Sequence, residues 1–332
     1  MKYCFLVCLI STFFSFSQSS CDSILFQSFT NPGPYNVLSI DESDGIRNGH
    51  DYNGATIFYP EGNLANLASI VFVPGYSNTQ FTIQNWGFFL ASYGIVTMTI
   101  GTNTLLDSHI QRKDALLDAL ITIKKENVRS SSPLFNSLDT LKLALGGFSK
   151  GGGGAQLAAS IDQNIKAVIA LYPWLENIST VDLDHDVPVL IVSGSLDIIA
   201  PPSLHADVHY MYTPETTKKL KYEVAFATHD PLIGPNAGFG EVGKKTLSWL
   251  QTFLLGDSCF CPYLLDTPSN ASIYMSNINC TEISTNTYNL ASNQEKKILK
   301  IIDIFGREVG PKKNMILFYI YNDQSVKKII VK

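Results

Sequence analysis

The five residues Gly147-Phe148-Ser149-Lys150-Gly151 set a serine two positions from a glycine on each side. They stand between an apolar, strand-like run at 141–146 and a helix-like run at 152–161. A serine at a sharp strand-to-helix turn presents its hydroxyl at a helix N-terminus, where the positive end of the helix favours a developing oxyanion. The glycines permit the tight turn that such a strained residue needs. A glycine-rich structural turn or a phosphate cradle uses the same letters, but the position after a strand and before a helix favours a nucleophile.

A serine hydroxyl needs a base, and the base needs a carboxylate to orient it. With this kind of turn the acid follows the serine and the base follows the acid, each just past a later strand. The apolar run 187–193 leads into Gly194-Ser195-Leu196-Asp197, and the run 220–226 leads into Ala227-Thr228-His229. Ser149, Asp197 and His229 are therefore the expected catalytic set. His50 and His109 precede the serine, and His185 precedes the strand that leads to Asp197. Asp184, Asp186 and Asp230 do not stand at the end of that strand. His205 and His209 share a helical face four residues apart, but no zinc-protease glutamate lies between them, so a solvated face is expected. No metal and no cofactor are expected.

One oxyanion donor is the Lys150 backbone N–H. A second normally comes from the loop after an early strand, here Val73-Pro74-Gly75-Tyr76, which makes the Tyr76 N–H the candidate. The substrate-facing side chains are expected to be Tyr76, Phe148 and Trp174, with the Tyr76 and Trp174 rings as facing walls. Filling of the core is the other use for such rings.

These groups need a scaffold. Apolar runs at 55–59, 69–73, 95–100, 141–146, 165–171, 187–193 and 220–226 read as strands. They alternate with helical spacing, clearest over 105–125, where Leu105, Leu106, Ile110, Leu116, Leu117, Leu120, Ile121 and Ile123 share a broad face. The alternation predicts an α/β fold with a mostly parallel sheet and crossover helices. Only about a dozen residues, 175–186, separate Trp174 from the next strand, too few for a helical cap. An open groove is expected.

The chain has 332 residues, 45% of them hydrophobic, enough for one large core and an appendage. Its net charge of −5 argues against nucleic acid as a partner. Residues 1–20, with Lys2, a short apolar run and a small polar exit, read as a secretory leader. Residues 21–265 form the expected catalytic domain, and 266–293, rich in Ser, Thr and Asn, the expected linker. Residues 294–332 carry three β-type runs and nine Lys or Arg against four Asp or Glu. The chain beyond the leader keeps Cys21, Cys259, Cys261 and Cys280, and of the three possible pairings the one that joins Cys259 to Cys261 is the least favoured by geometry.

Taken together, Val73 to Tyr76, Trp86-Gly87, Leu90 to Gly94, Thr99 to Asn103, Gly147 to Gly154, Pro173-Trp174, Ile199 to Pro202 and Ala227 to His229 resemble the cutinase and polyester-hydrolase family of α/β-hydrolases. The resemblance implies that Ser149, Asp197 and His229 form the triad, that Tyr76 and Lys150 give the oxyanion hole, and that Trp174 lines an aromatic cleft. It implies a polymeric or lipid ester as substrate and a monomeric enzyme. That family usually has His or Trp at the position of Phe148 and Met at that of Lys150. Residues 294–332 resemble the sorting domain of type IX secretion, which implies the secretion machinery as a partner. A hydrolase of small soluble esters and a surface binding module on an inactivated scaffold are the competing readings.

Overall fold

A computed structural model describes residues 32–230, 232–283, 298–303, 307–310, 315–321 and 326–331. The leader expected over residues 1–20 lies outside the described residues.

Nine strands form one sheet: β1 (Val37–Asp41), β2 (Ala55–Pro60), β3 (Leu67–Val73), β4 (Val96–Ile100), β5 (Leu138–Phe148), β6 (Ala167–Leu171), β7 (Val189–Gly194), β8 (Lys219–Val224) and β9 (Ala271–Ser276). Their order is β1-β2-β4-β3-β5-β6-β7-β8-β9. From β4 to β8 every pairing is parallel, and antiparallel strands flank that block at both ends. The longer helices that accompany it are α1 (Gln84–Ser92), α2 (His109–Glu126), α3 (Lys150–Ile161), α4 (Ala206–Tyr212) and α5 (Glu241–Leu250).

Strand periodicity decides which helix covers which face. Val71, Val73, Leu145, Val189 and Ile191 pack with α2, α3 and α4, while Ile70, Phe72, Ala144, Leu190 and Val192 pack with α1 and α5. Both faces are thus buried, which is why the central strands read as continuous apolar runs. Each fully buried aliphatic side chain contributes about 1.5–3 kcal/mol. This is the α/β-hydrolase arrangement. A separate antiparallel sheet of β10 (Ile298–Ile302), β11 (Met315–Tyr321) and β12 (Val326–Val331) matches the β-type runs expected near the C-terminus.

Three local differences have physical causes. Helical spacing suggested a start at 105, but α2 begins at His109, because Ser108 and Gln111 form a reciprocal cap on its first turn. Leu105 and Leu106 remain outside and exposed. The expected linker at 266–293 is corrected in its first part: Ala271–Ser276 is the edge strand β9, pairing antiparallel with β8 in the register Tyr222↔Tyr274. Only one side of an edge strand is covered, so its composition is polar enough to pass for a loop. A disulfide from Cys261 to Cys280 closes this segment onto the domain, and Cys259 is disulfide-bonded as well.

The solvated face expected for His205 and His209 is also corrected. His209 is fully buried, its Nδ1–H donating to the Gln156 side chain. Burial pushes His209 down to about 3 and the equally enclosed His185 down to about 4, from an ordinary 6.5. The unfolded chain takes up these protons near pH 6.5, whereas the folded chain refuses them until much lower pH. Stability from these rings is therefore complete above about pH 6.5 and falls as the pH drops below it, by roughly 1.4 kcal/mol per unit for each ring. Thermal melts should show Tm declining steadily from about pH 7 to about pH 5. A flat Tm across that window contradicts the assignment.

Candidate active site

The strand β5 ends at Phe148 and α3 begins at Lys150, leaving Ser149 alone at the turn with φ 55° and ψ −120°. A non-glycine residue in that region is strained, so its surroundings must hold it there. They do so through the backbone. The Ser149 N–H donates to the Leu171 carbonyl at 2.8 Å, and its own carbonyl accepts from the N–H groups of Gly153 and Trp174 at 3.1 and 3.0 Å. The flanking glycines are required sterically. A Cβ on Gly147 would sit 2.3 Å from the Gly151 carbonyl carbon, and one on Gly151 would sit 2.5 Å from the Val73 oxygen.

Two later loops reach the same point. Beyond β7, Asp197 turns inward, and beyond β8 the chain delivers His229. The Ser149 Oγ–H donates to His229 Nε2 at 2.9 Å, and His229 Nδ1–H donates to Asp197 Oδ2 at 2.6 Å. The other carboxylate oxygen, Oδ1, accepts the N–H groups of Ile199 and Ala200 at 2.9 and 2.7 Å. The Asp197 side chain is buried and that of His229 nearly so. Such a chain can pass the serine proton to the imidazole and hold the resulting charge against the carboxylate.

The Lys150 N–H lies at the first position of α3, where no intrahelical acceptor exists. Gly75 brings the Tyr76 loop against Ser149: a Cβ there would stand 2.9 Å from the serine Cβ. At the mouth, Tyr76 is 45% exposed and Trp174 half-buried. The Lys150 ammonium lies 4.4 Å from the Tyr76 ring centroid and 4.8 Å from that of Trp174. The Asp197 and His229 loops add exposed Leu196, Ile198, Ile199 and Phe226. No helix crosses the mouth from the 175–186 connection. A cavity of about 590 Å³ lies against the His229 loop, between Thr228, Asp230, Phe226 and Phe88.

A PET hydrolase-like family model matches residues 28–281. The chain belongs to the PET hydrolase-like family. It is 36% identical over 240 residues to cutinase est1 of Thermobifida alba, covering 71% of this chain and 76% of that one. Cutinase 2 of Thermobifida cellulosilytica is 35% identical over 240 residues, 71% of this chain and 86% of its own length. Bis(hydroxyethyl) terephthalate hydrolase of Streptomyces coelicolor is 32% identical over 237 residues, 71% and 73% respectively. The family match ends just past Cys280 and so includes β9 and the disulfide.

Within this PET hydrolase-like domain one expected site residue is corrected. Phe148 does not face the cleft. It is 1% exposed, packs 4.8 Å from the His229 ring and 6.1 Å from Tyr172, and so backs the imidazole from the core side. As the last residue of β5 it points to the face covered by α1 and α5. Neighbouring positions on a strand face opposite sides, and the serine turn makes the pattern unreadable there.

Other contributors escaped sequence reasoning. Arg112 on α2 is fully buried, its guanidinium donating to the Pro74 and Gly75 carbonyls at 2.9 and 2.8 Å. It braces the backbone that carries the Tyr76 N–H. Burial lowers its pKa to about 10, which leaves it charged. A cation on the same face as Ala115 and Leu116 was the available signal. His205 stacks on Trp174, centroids 5.7 Å apart at 27°, and His109 approaches the same ring at 6.0 Å. Nothing in the spacing of these histidines points to an indole.

Proposed function

We propose that this protein is an exported serine carboxylic-ester hydrolase that cleaves polyesters or acyl-lipid esters through an acyl-enzyme. The carrying observation is the hydrogen-bonded series Ser149–His229–Asp197, with steps of 2.9 and 2.6 Å, at a strained strand-to-helix turn. The serine Oγ attacks the acyl carbon while His229 Nε2 takes its proton. The carbonyl oxygen becomes an oxyanion received by the Tyr76 and Lys150 N–H groups. Collapse expels the alcohol, which leaves with the proton returned by His229. Water then enters by the same route, and the acid leaves with Ser149 restored.

The substrate class rests on the rim. Tyr76, Trp174, Ile198, Ile199 and Phe226 give an open, apolar surface suited to a long or surface-bound ester rather than a small enclosed one. The printed names of the relatives, cutinases and a bis(hydroxyethyl) terephthalate hydrolase, support the same reading. Residues 1–20 serve as leader, and 294–332 direct passage across the outer membrane. The test compares soluble products released from polyester film with hydrolysis of short p-nitrophenyl esters by the purified chain. Film release well above that of Ser149→Ala supports the proposal, and turnover of short esters alone, with none from film, contradicts the polymer assignment.

A further inference from the structure

A cation at the mouth of a cleft can be tied to a neighbouring carboxylate, which cancels its charge. Lys150 is not: among the described residues its partners are the two aromatic faces, and no acid pairs with its ammonium. The distinction matters. A ring holds a cation through its quadrupole without cancelling its charge, so the ammonium stays fixed in direction and free to attract an anion. It also stands at the first residue of α3, next to Ser149, where the helix end adds to the positive potential.

We propose that Lys150 selects esters whose acyl part ends in a free carboxylate, such as the half-esters of dicarboxylic acids that cleavage of a polyester leaves behind. This rests on the hydrolase reading of the same site. With the acyl carbon at Ser149, the rest of the acyl group lies along the rim at Tyr76 and Trp174, and its far end meets the ammonium held against these two rings. The protein as a whole carries −5 and repels anions, so discrimination depends on this local charge. A lysine here lets one enzyme attack the chain and also its carboxylate-ended fragments.

The test is the ratio of kcat/KM for monomethyl terephthalate to that for dimethyl terephthalate, which cancels intrinsic differences in ester reactivity when variants are compared. Lys150→Met should lower that ratio roughly tenfold, the scale of one charge-assisted contact, and Lys150→Arg should preserve most of it. In the unaltered protein the ratio should shrink as salt is raised, a readout that needs no variant to fold. A ratio that Lys150→Met leaves unchanged, including the case in which both esters slow equally because the ammonium acts on the oxyanion, overturns the inference while the hydrolase reading survives. Failure of the unaltered protein to turn over either ester overturns the hydrolase reading instead.

Discussion

Ser149→Ala should reduce kcat for a p-nitrophenyl ester by about 10⁶ without unfolding the protein. The fold survives because the contacts that hold this residue at φ 55° are backbone ones: its N–H to Leu171 and its carbonyl to Gly153 and Trp174. Among the described residues the hydroxyl itself bonds to His229 Nε2. Residual rate over water is expected from the proposed Tyr76 and Lys150 donors and from binding, which the substitution leaves in place. Adding His229→Ala should slow the variant little further, since serine and imidazole act as a unit. Kinetics alongside a thermal melt check both halves, and a variant that keeps a large share of its activity contradicts the role given to the serine.

Asp197→Asn should lower kcat by about 10⁴, again with little change in Tm. The direction follows from which atoms the side chain can offer. Asp197 Oδ1 accepts two backbone N–H groups, from Ile199 and Ala200, so an asparagine must turn its oxygen to them. Its NH₂ then faces His229 Nδ1, which can accept from it only as an unprotonated nitrogen. The ring proton is forced onto Nε2, the atom that must receive the proton of Ser149. The side chain keeps its shape and loses its function. Near-wild-type kcat for this variant contradicts the orientation argued for the carboxylate.

Much of this architecture is legible in the amino-acid sequence. Buried parallel strands tend to be continuous apolar runs, so β3 to β7 stand out, and the serine motif occupies the context, after a strand and before a helix, in which it carries chemistry. The order of acid and base followed from the strands. What stayed hidden depends on packing across distant segments. Arg112 reads as one polar position on an amphipathic helix, yet it anchors the loop that carries Tyr76. Phe148 sits beside the serine in sequence but on the opposite side of the turn in space. His205 and His209 have the spacing of a surface pair, but α4 buries one and presents the other to Trp174. Strand β9 lacks the apolar density of the strands within the sheet because half of it faces solvent.

Under the proposed mechanism one side chain, Ser149, becomes esterified during turnover. Incubation with a fluorophosphonate followed by peptide mass mapping tests it most directly. A single adduct is expected on the peptide containing Gly147-Phe148-Ser149-Lys150-Gly151, absent in Ser149→Ala and much slower to form in Asp197→Asn. An unlabelled protein that still hydrolyses esters, or an adduct on any other residue, contradicts it.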